Sequence, residues 1–563
     1  MERTGAQIVW ETLTRLGVEV VFGYPGGAIM PVYDAMLGYR IHHVLVRHEQ
    51  GAAHMADGYA RASGKVGVAL ATSGPGATNL VTGIATAMLD SSPVVFITGQ
   101  VPSHLLGSDA FQETDITGVT LPITKHNFLV TDVADIASTL REAFAIARSG
   151  RPGPVLVDIT KDAQQASAIF DEDAAEPAAQ REPTQTLSTE LKHALALLNE
   201  AERPIILCGQ GVIFGRASDE LRRLAEKANI PVAATLLGLG AFPASHPLAL
   251  GMMGMHGQAW VNRAIQEADL LLALGMRFDD RVTGDPKKFA PNARKIHCEI
   301  DAAEINKIIR VDVAIVGDVK PTLTALADGA MPSARSGWRD RVAHLKTDGH
   351  ESDPKGSQHE GPLTAPEVID ALWRLTNGRA LVVTDVGQHQ MWEAQHYHHE
   401  EPRSLVTSGG LGTMGFALPA AIGGKFARPD AEVWVIAGDG GFQMTACELS
   451  TVAQEGIKLN IAIINNGYLG MVRQWQQLFY DKRYSSTPIK SPDFVKLAEA
   501  HDLVGLRVER REDIAEVVSR ARASKETCVI DFRVAAEECV YPMVPSGGDI
   551  GDMIRRPPPK EAA

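Results

Sequence analysis

Glu432-Val433-Trp434-Val435-Ile436-Ala437, the turn Gly438-Asp439-Gly440 that follows, and Asn465-Asn466 further on form the stretch on which the fold turns. Residues 432–437 are a continuous apolar run, which predicts a buried strand; residues 442–455 predict a helix, and Leu459–Ile464 the next strand. This is one strand-helix-strand unit. Both strands of such a unit end on the same edge of a parallel sheet, where open α/β sheets bind ligands, so Asp439 and Asn466 are expected side by side. A carboxylate, an amide oxygen and a nearby backbone carbonyl suit magnesium, which takes near-octahedral oxygen ligation from one or two protein groups, phosphate and water. Gly438 and Gly440 permit the tight turn and the close approach of a diphosphate. Gly-Asp-Gly alone reads as an ordinary strand-to-helix turn; the Asn pair at a second strand end changes that reading to a magnesium-diphosphate site.

A chain of 563 residues exceeds one hydrophobic core, since domains run to about 150 residues each. With 45% hydrophobic and 22% charged residues, its composition is that of an ordinary globular protein. A formal net charge of −14 and a pI near 5.7 argue against binding a phosphate backbone, so nucleic acid is not an expected partner. No apolar run approaches the roughly 18 residues that span a bilayer. The start Met-Glu-Arg-Thr-Gly-Ala lacks the basic and apolar regions of a signal peptide, so no membrane association and a cytoplasmic location are expected. Cys208, Cys298, Cys447, Cys528 and Cys539 show no Cys-x-x-Cys spacing and are expected to be buried, reduced fillers.

Alternating helical and strand-like segments predict three α/β domains, each a doubly wound, mostly parallel sheet. The first spans residues 1–165, the second 190–330 and the third 363–545. Ala166–Thr189, rich in Ala, Asp, Glu, Gln and Pro, reads as a linker, as do residues 328–362. The first and third arrays share a design of strand, Gly-containing turn, helix and strand (Ala69–Ile97 against Val433–Ile464), without enough identity for a residue-level repeat. The tail Arg555–Ala563, with three consecutive prolines, reads as irregular.

In Arg47-His48-Glu49-Gln50-Gly51-Ala52 a strand is expected to end at Glu49 and a helix to begin immediately after it. An acidic residue there is favoured by the helix dipole alone. Ser73-Gly74-Pro75-Gly76-Ala77-Thr78-Asn79 opens another helix and offers free backbone N–H groups to an anion or a surface to a cofactor ring. Cys208-Gly209-Gln210-Gly211 follows a strand, but the next glycine is Gly215, so the G-x-G-x-x-G dinucleotide fingerprint is not met.

These motifs together resemble those of thiamine diphosphate enzymes, and more narrowly the acetohydroxyacid synthase (acetolactate synthase) family, over nearly the whole chain. The resemblance rests on Tyr24-Pro25-Gly26-Gly27, Arg47–Ala52, Asp109-Ala110-Phe111-Gln112-Glu113, Gly150-Arg151-Pro152-Gly153-Pro154 and Gly254-Met255-His256-Gly257. It rests also on Arg277–Gly284, Gly387-Gln388-His389-Gln390-Met391-Trp392, Ser408–Gly415 and Gly470–Gln476. It implies that Asp439, Asn466 and the Tyr468 carbonyl hold magnesium. Gly387, Gln388, His389, Gly438, Gly440, Gly441, Gly470, Met471 and Val472 would contact thiamine diphosphate. Met414 would wedge between the two rings of that cofactor, with Gly412 offering a carbonyl to the aminopyrimidine. Glu49 would stabilise the reactive aminopyrimidine tautomer from a second subunit, so a homodimer or homotetramer is implied.

In the middle domain the resemblance implies a structural FAD held by Arg151, Gly209, Gly211, Met255, His256, Gly275, Arg277, Asp279, Val282, Glu299, Ile300 and Asp318. Gln112, Phe111 and Lys161 match residues of the substrate channel, and Met255 and Trp475 the pocket for the second substrate. Trp475 would favour 2-ketobutyrate over pyruvate, one methylene being worth about 1–3 kcal/mol in a pocket. Lys161 and Arg277 also offer cationic attraction to a keto-acid carboxylate.

The implied reaction is decarboxylation of pyruvate and transfer of the two-carbon unit to a second pyruvate or to 2-ketobutyrate, feeding branched-chain amino acid biosynthesis. A small regulatory subunit is a further implication, and Tyr480–Pro488 and the C-terminal tail are candidate lids. Rival readings are an oxidoreductase of pyruvate oxidase type, a glyoxylate carboligase, a flavin-free catabolic acetolactate synthase, and a non-catalytic binding protein on the same fold. Arg277–Gly284 and Trp475 disfavour the first, Glu49 the second and the middle-domain matches the third.

Overall fold

Three six-stranded sheets, all parallel within themselves, organise the computed structural model, which describes residues 1–171, 188–349 and 361–557. In the first sheet the spatial order is His42–Leu45, Val20–Gly23, Gly67–Ala71, Val94–Gln100, Val155–Thr160 and His126–Val130. The third runs Leu405–Thr407, Leu381–Thr384, Val433–Gly438, Asn460–Asn465, Cys528–Arg533 and Val504–Val508. Ranked along the chain, both orders read 2-1-3-4-6-5. The middle sheet, Ala249–Met252, Val232–Ala234, Pro204–Cys208, Leu270–Leu274, Arg294–Glu299 and Val313–Val316, reads 3-2-1-4-5-6, the order of dinucleotide-binding folds.

The central strands are buried on both faces, which is why their sequences are continuous apolar runs without alternation: Gly67–Ala71, Val94–Gln100 and Asn460–Asn465 are buried throughout. Two places differ from the sequence reading. Ser167–Ile169, inside the stretch read as a linker, forms a short strand antiparallel to Glu2–Thr4. Residues 172–187 of that linker lie outside the described residues. Within the second predicted linker, Ser336–Gly349 is a helix. Trp338, Val342 and Leu345 are spaced for one helical face and are buried against the middle domain, and the Trp338 indole donates to the Pro204 carbonyl at 3.1 Å.

The first and third domains share one core, joined where helix Glu49–Ser63 crosses helix Ala417–Ala427. The backbones meet: a Cβ at Gly58 would lie 2.0 Å from the Ala420 oxygen, and one at Gly423 would lie 1.8 Å from the Met55 oxygen. Only glycine fits either position. Beside this crossing the buried Arg61 guanidinium pairs with Asp57 at 2.7 Å and Asp90 at 2.8 Å and donates to the Thr407 carbonyl at 2.6 Å. Glu448 of the third domain, also buried, accepts from the backbone N–H groups of Arg47 and His48 at 3.1 Å each. No helix among the described residues is long and apolar enough to cross a membrane. Of the five cysteines four are buried, but Cys447 is exposed, because it stands on a single turn between two short helices rather than in a core.

Candidate active site

Open α/β sheets bind ligands at the carboxyl ends of their strands, where strand order reverses. In the third sheet that point lies between Leu381–Thr384 and Val433–Gly438. Asp385 and Asp439 follow these two strands directly, and both are buried. Asp439 opens helix Asp439–Thr445; its Oδ2 accepts from the Ser491 hydroxyl at 2.7 Å, while its Oδ1 has no hydrogen-bond partner within the protein. Burial pushes its carboxyl above the usual range against the pull of that hydrogen bond. Asn466, one residue past its strand, accepts at Oδ1 from the Tyr468 N–H at 3.0 Å and donates from Nδ2 to Gln388 Oε1 at 3.3 Å.

Gln388 in turn donates to Gln474 Oε1 at 2.8 Å and to the Glu538 carbonyl at 2.9 Å. It therefore braces Asn466 as well as lining the site. His389 is buried, burial lowers its pKa to about 3, and its Nε2 lacks a protein partner. A neutral imidazole nitrogen and a carboxylate oxygen, each buried without a protein partner on residues that line one cavity, are costly unless something polar meets them. A diphosphate with its magnesium ion fits that donor and acceptor set.

Asp385 was not read from the sequence. Its carboxylate accepts from the N–H groups of Val386 at 2.8 Å, Gly415 at 2.9 Å and Ala417 at 3.3 Å, and burial raises its pKa to about 6. It fixes the Ser408–Gly415 loop that carries Gly412 and Met414. The signal was present: an Asp directly after the apolar run Leu381–Thr384 repeats the arrangement at Asp439.

One cavity of about 1250 Å³ joins these residues to the middle domain. From the third domain Gly387, Gln388, His389, Gly412, Met414, Gly438, Asp439, Gly440, Gly441, Asn466, Tyr468, Gly470, Met471, Val472 and Trp475 line it. From the middle domain it is lined by Gly211, Met255, His256, Gly275, Arg277, Asp279, Val282, Glu299, Ile300 and Asp318, with Arg151 from the first domain. Gly209 does not line it. A Cβ there would meet the Gly275 oxygen at 2.4 Å, so Gly209 serves the crossing of two strand-end turns at the middle sheet's own switch point. The missing G-x-G-x-x-G fingerprint is replaced by this contact between turns: a Cβ on Gly211 would lie 2.6 Å from the Gly275 Cα, and Gly275 holds φ +54.

Glu299 ends its strand with Oε1 accepting from the N–H of Ile300 at 2.9 Å, and burial raises its pKa to about 7. Asp279 caps helix Asp280–Thr283, accepting from Arg281 and Val282, with the Arg277 guanidinium 3.7 Å away. His256 is buried, its pKa lowered to about 4 by that burial, and its Nδ1 is unpartnered within the protein. Arg151 reaches from the first domain to Ser91 at 2.8 Å and Glu304 at 3.0 Å, tying the two domains at the cavity wall. An elongated dinucleotide such as FAD fits a dinucleotide-type strand order, a glycine crossing at the switch point and an unsatisfied buried imidazole.

None of Glu49, Phe111, Gln112 and Lys161 lines this cavity. They collect instead at the carboxyl edge of the first sheet. The preceding strand ends at Leu45, not at Glu49; His48 caps helix Glu49–Ser63 by accepting from the Gln50 N–H at 3.1 Å, and Glu49 is that helix's first residue. Its Oε2 accepts from the Asn79 amide at 2.9 Å, and its Oε1 would lie 3.2 Å from a Cβ on Gly76. Gln112 holds φ 60 and packs against Gly74, while Phe111 beside it is 88% exposed. Lys161 opens helix Lys161–Gln165 directly after the strand Val155–Thr160.

Trp475 is partly buried in the middle of helix Gly470–Phe479, meets Phe479 edge-on at 5.7 Å and packs against the cluster that contains Met255 and Phe278. The candidate lids differ from each other. Tyr480–Pro488 is partly anchored, with Pro488 bridged to Tyr468. The segment before the tail is held by a Met543–Ile554 bridge and by the Val544 N–H donating to the Met255 carbonyl at 2.8 Å, and residues 558–563 of the tail lie outside the described residues.

Comparison with known proteins agrees with this anatomy. Residues 3–119 match the family described as thiamine pyrophosphate enzyme, N-terminal TPP binding domain. Residues 191–326 match its central domain and residues 385–532 its C-terminal TPP binding domain. An acetolactate synthase large subunit of Mycobacterium tuberculosis is 52% identical over 560 residues, covering 97% of this chain and 90% of that protein. The acetolactate synthase large subunit of Corynebacterium glutamicum is 50% identical over 98% of this chain and 90% of its own length. A probable acetolactate synthase large subunit of Methanocaldococcus jannaschii is 46% identical over 98% and 95%. The chain belongs to the thiamine pyrophosphate enzymes and, among them, to the family of acetolactate synthase large subunits.

Proposed function

We propose that this chain is the catalytic subunit of an acetolactate synthase, joining the two-carbon unit of pyruvate to a second pyruvate or to 2-ketobutyrate. The observation that carries the reading is the pairing of an orphaned buried Asp439 oxygen with an unpartnered buried His389 nitrogen in one cavity, in a chain of this family. When bound, thiamine diphosphate supplies the electron sink for loss of carbon dioxide. Asp439, Asn466 and the Tyr468 carbonyl would hold its magnesium ion, and the Gly387–His389 and Gly470–Val472 turns its diphosphate. Met414 and Gly412 would set its bend. FAD would occupy the middle-domain arm of the cavity, where Arg151, Asp318, His256 and Met255 are among the lining residues.

Glu49 would hold a proton against the aminopyrimidine ring, a general acid/base role worth about 10²- to 10⁴-fold in rate. Because Glu49 lies outside the cavity of its own chain, this role calls for a second copy, whose Glu49, Gln112, Phe111 and Lys161 face Asp439 across an interface. A homodimer is the smallest assembly that completes two sites, and a homotetramer contains the same pair. Trp475 and Met255 would select the acceptor, while Phe111 and Gln112 would exclude water from the site. The relatives' designation as large subunits supports a smaller regulatory partner.

The test is product analysis. Purified protein with thiamine diphosphate, magnesium and FAD, given pyruvate with and without 2-ketobutyrate, is expected to form 2-acetolactate and 2-aceto-2-hydroxybutyrate. Flavin bleaching by pyruvate at the turnover rate, without acetohydroxy acids, would instead identify an oxidase.

A further inference from the structure

Asp439 is held asymmetrically. One carboxylate oxygen accepts from the Ser491 hydroxyl at 2.7 Å and the other has no protein partner. Ser491 is far along the chain from the Gly-Asp-Gly turn, and nothing in the sequence motif points to it. Its placement is nonetheless constrained from several directions. The Thr487–Ile489 backbone runs beside the loop that follows Asn466, with Leu469 N–H donating to the Thr487 carbonyl and Ile489 N–H to the Gly467 carbonyl, each at 2.9 Å. Pro492 restricts the residue before it to extended backbone. Asp493 caps helix Phe494–Glu499 and pairs with Arg507 at 2.7 Å, fixing the far end. Gln443 donates to the Asp439 carbonyl at 2.9 Å and reaches Ser491 Oγ at 3.4 Å.

A carboxylate with one oxygen committed to a hydroxyl offers a cation the other. Magnesium requires near-octahedral, one-oxygen ligation at short distance, whereas calcium accepts two-oxygen carboxylates and six to eight ligands. Building on the reading of Asp439 as a magnesium ligand, we propose that Ser491 is a positioning residue that holds Asp439 to one-oxygen ligation and so tunes the cofactor site for magnesium over larger divalent cations.

The experiment uses the full chain and reads binding, not turnover. Magnesium or calcium is titrated in the presence of thiamine diphosphate, and cofactor uptake is followed by calorimetry and by tryptophan fluorescence, for the parent, Ser491→Ala, Ser491→Thr, Ser491→Val and Asp439→Ala. Removing a partner that orients a metal ligand costs about 10- to 100-fold in affinity. Ser491→Ala and Ser491→Val are expected to raise the magnesium half-saturation by about 10-fold while moving that of calcium by less than about twofold, with Ser491→Thr close to the parent. The Thr and Val variants match in shape and differ in the hydroxyl, so the pair decides even if the Ala variant folds poorly. Equal behaviour of Thr and Val, or equal shifts for both cations, overturns the proposal while loss of metal-dependent binding in Asp439→Ala leaves the site reading standing. Undiminished magnesium-dependent uptake by Asp439→Ala overturns both.

Discussion

The first and third domains have the same strand order, yet their carboxyl edges carry opposite chemistry. At the third edge the functional groups are buried and incompletely satisfied: Asp439 and His389 each keep one polar atom without a protein partner. At the first edge Glu49 is only half-buried, meets the Asn79 amide, and stands near a Phe111 that is 88% exposed. One edge is preorganised for a charged ligand, its buried, incompletely satisfied residues lining a cavity. The other is an open face with an acid and an exposed aromatic side chain, which suits it to complete a site rather than to contain one. Duplicating a fold therefore does not duplicate a site; the residues set on matching strand ends decide what each edge does.

The largest expected effect follows from removing the acid of the open edge. Glu49→Gln should lower kcat by about 10²- to 10⁴-fold while cofactor retention by the third edge persists, measured by steady-state rates beside calorimetry. Loss of cofactor binding together with activity would merge the two edges into one function. The junction between these domains is tested next. Gly423→Ala drives a Cβ into the Met55 carbonyl at 1.8 Å and should cost about 1–3 kcal/mol, read as a lower midpoint in chemical unfolding. An unchanged midpoint would mean that the two edges are not held by this crossing.

Trp475→Leu, on the anchored side, should shift the ratio of the two acetohydroxy products by about 10-fold toward 2-acetolactate, one methylene being worth about 1–3 kcal/mol in a pocket. The last test lies in the middle domain. Glu299 has a folded pKa raised to about 7 from 4.5 by burial, so its contribution is fully present below pH 4.5 and is lost as pH rises toward 7. The stability of the parent relative to Glu299→Gln should fall by about 3 kcal/mol across that window and stay level above it. A flat difference would place Glu299 in contact with solvent.

The third edge was largely legible in the sequence because its ligands sit one residue beyond apolar strands, so that periodicity alone puts Asp439 and Asn466 at one place. Asp385 obeys the same rule and was available to it. Ser491 was not, since it reaches the site by tertiary packing from a segment with no periodic signal. The strand end near Glu49 was misplaced because the strand stops at Leu45 and the residues between run irregularly into a His48 cap. The helix Ser336–Gly349 was hidden by its polar majority, although Trp338, Val342 and Leu345 carry the helical spacing. The cofactor role of Gly209 came from the family resemblance alone; a Cβ there would meet another turn of the same domain at the Gly275 oxygen, and a sequence match cannot tell a backbone neighbour from a ligand.

That the two edges complete one another between copies of the chain is the central claim, and a mixing experiment addresses it most directly. Glu49→Gln and Asp439→Ala chains, each inactive alone, are combined, dissociated and reassembled, and acetolactate formation is measured. With random pairing, half the dimers are mixed and each mixed dimer holds one site with both residues intact, so about a quarter of the parent activity should return. No recovery in demonstrably mixed dimers would contradict the account and place both residues in a site within one chain.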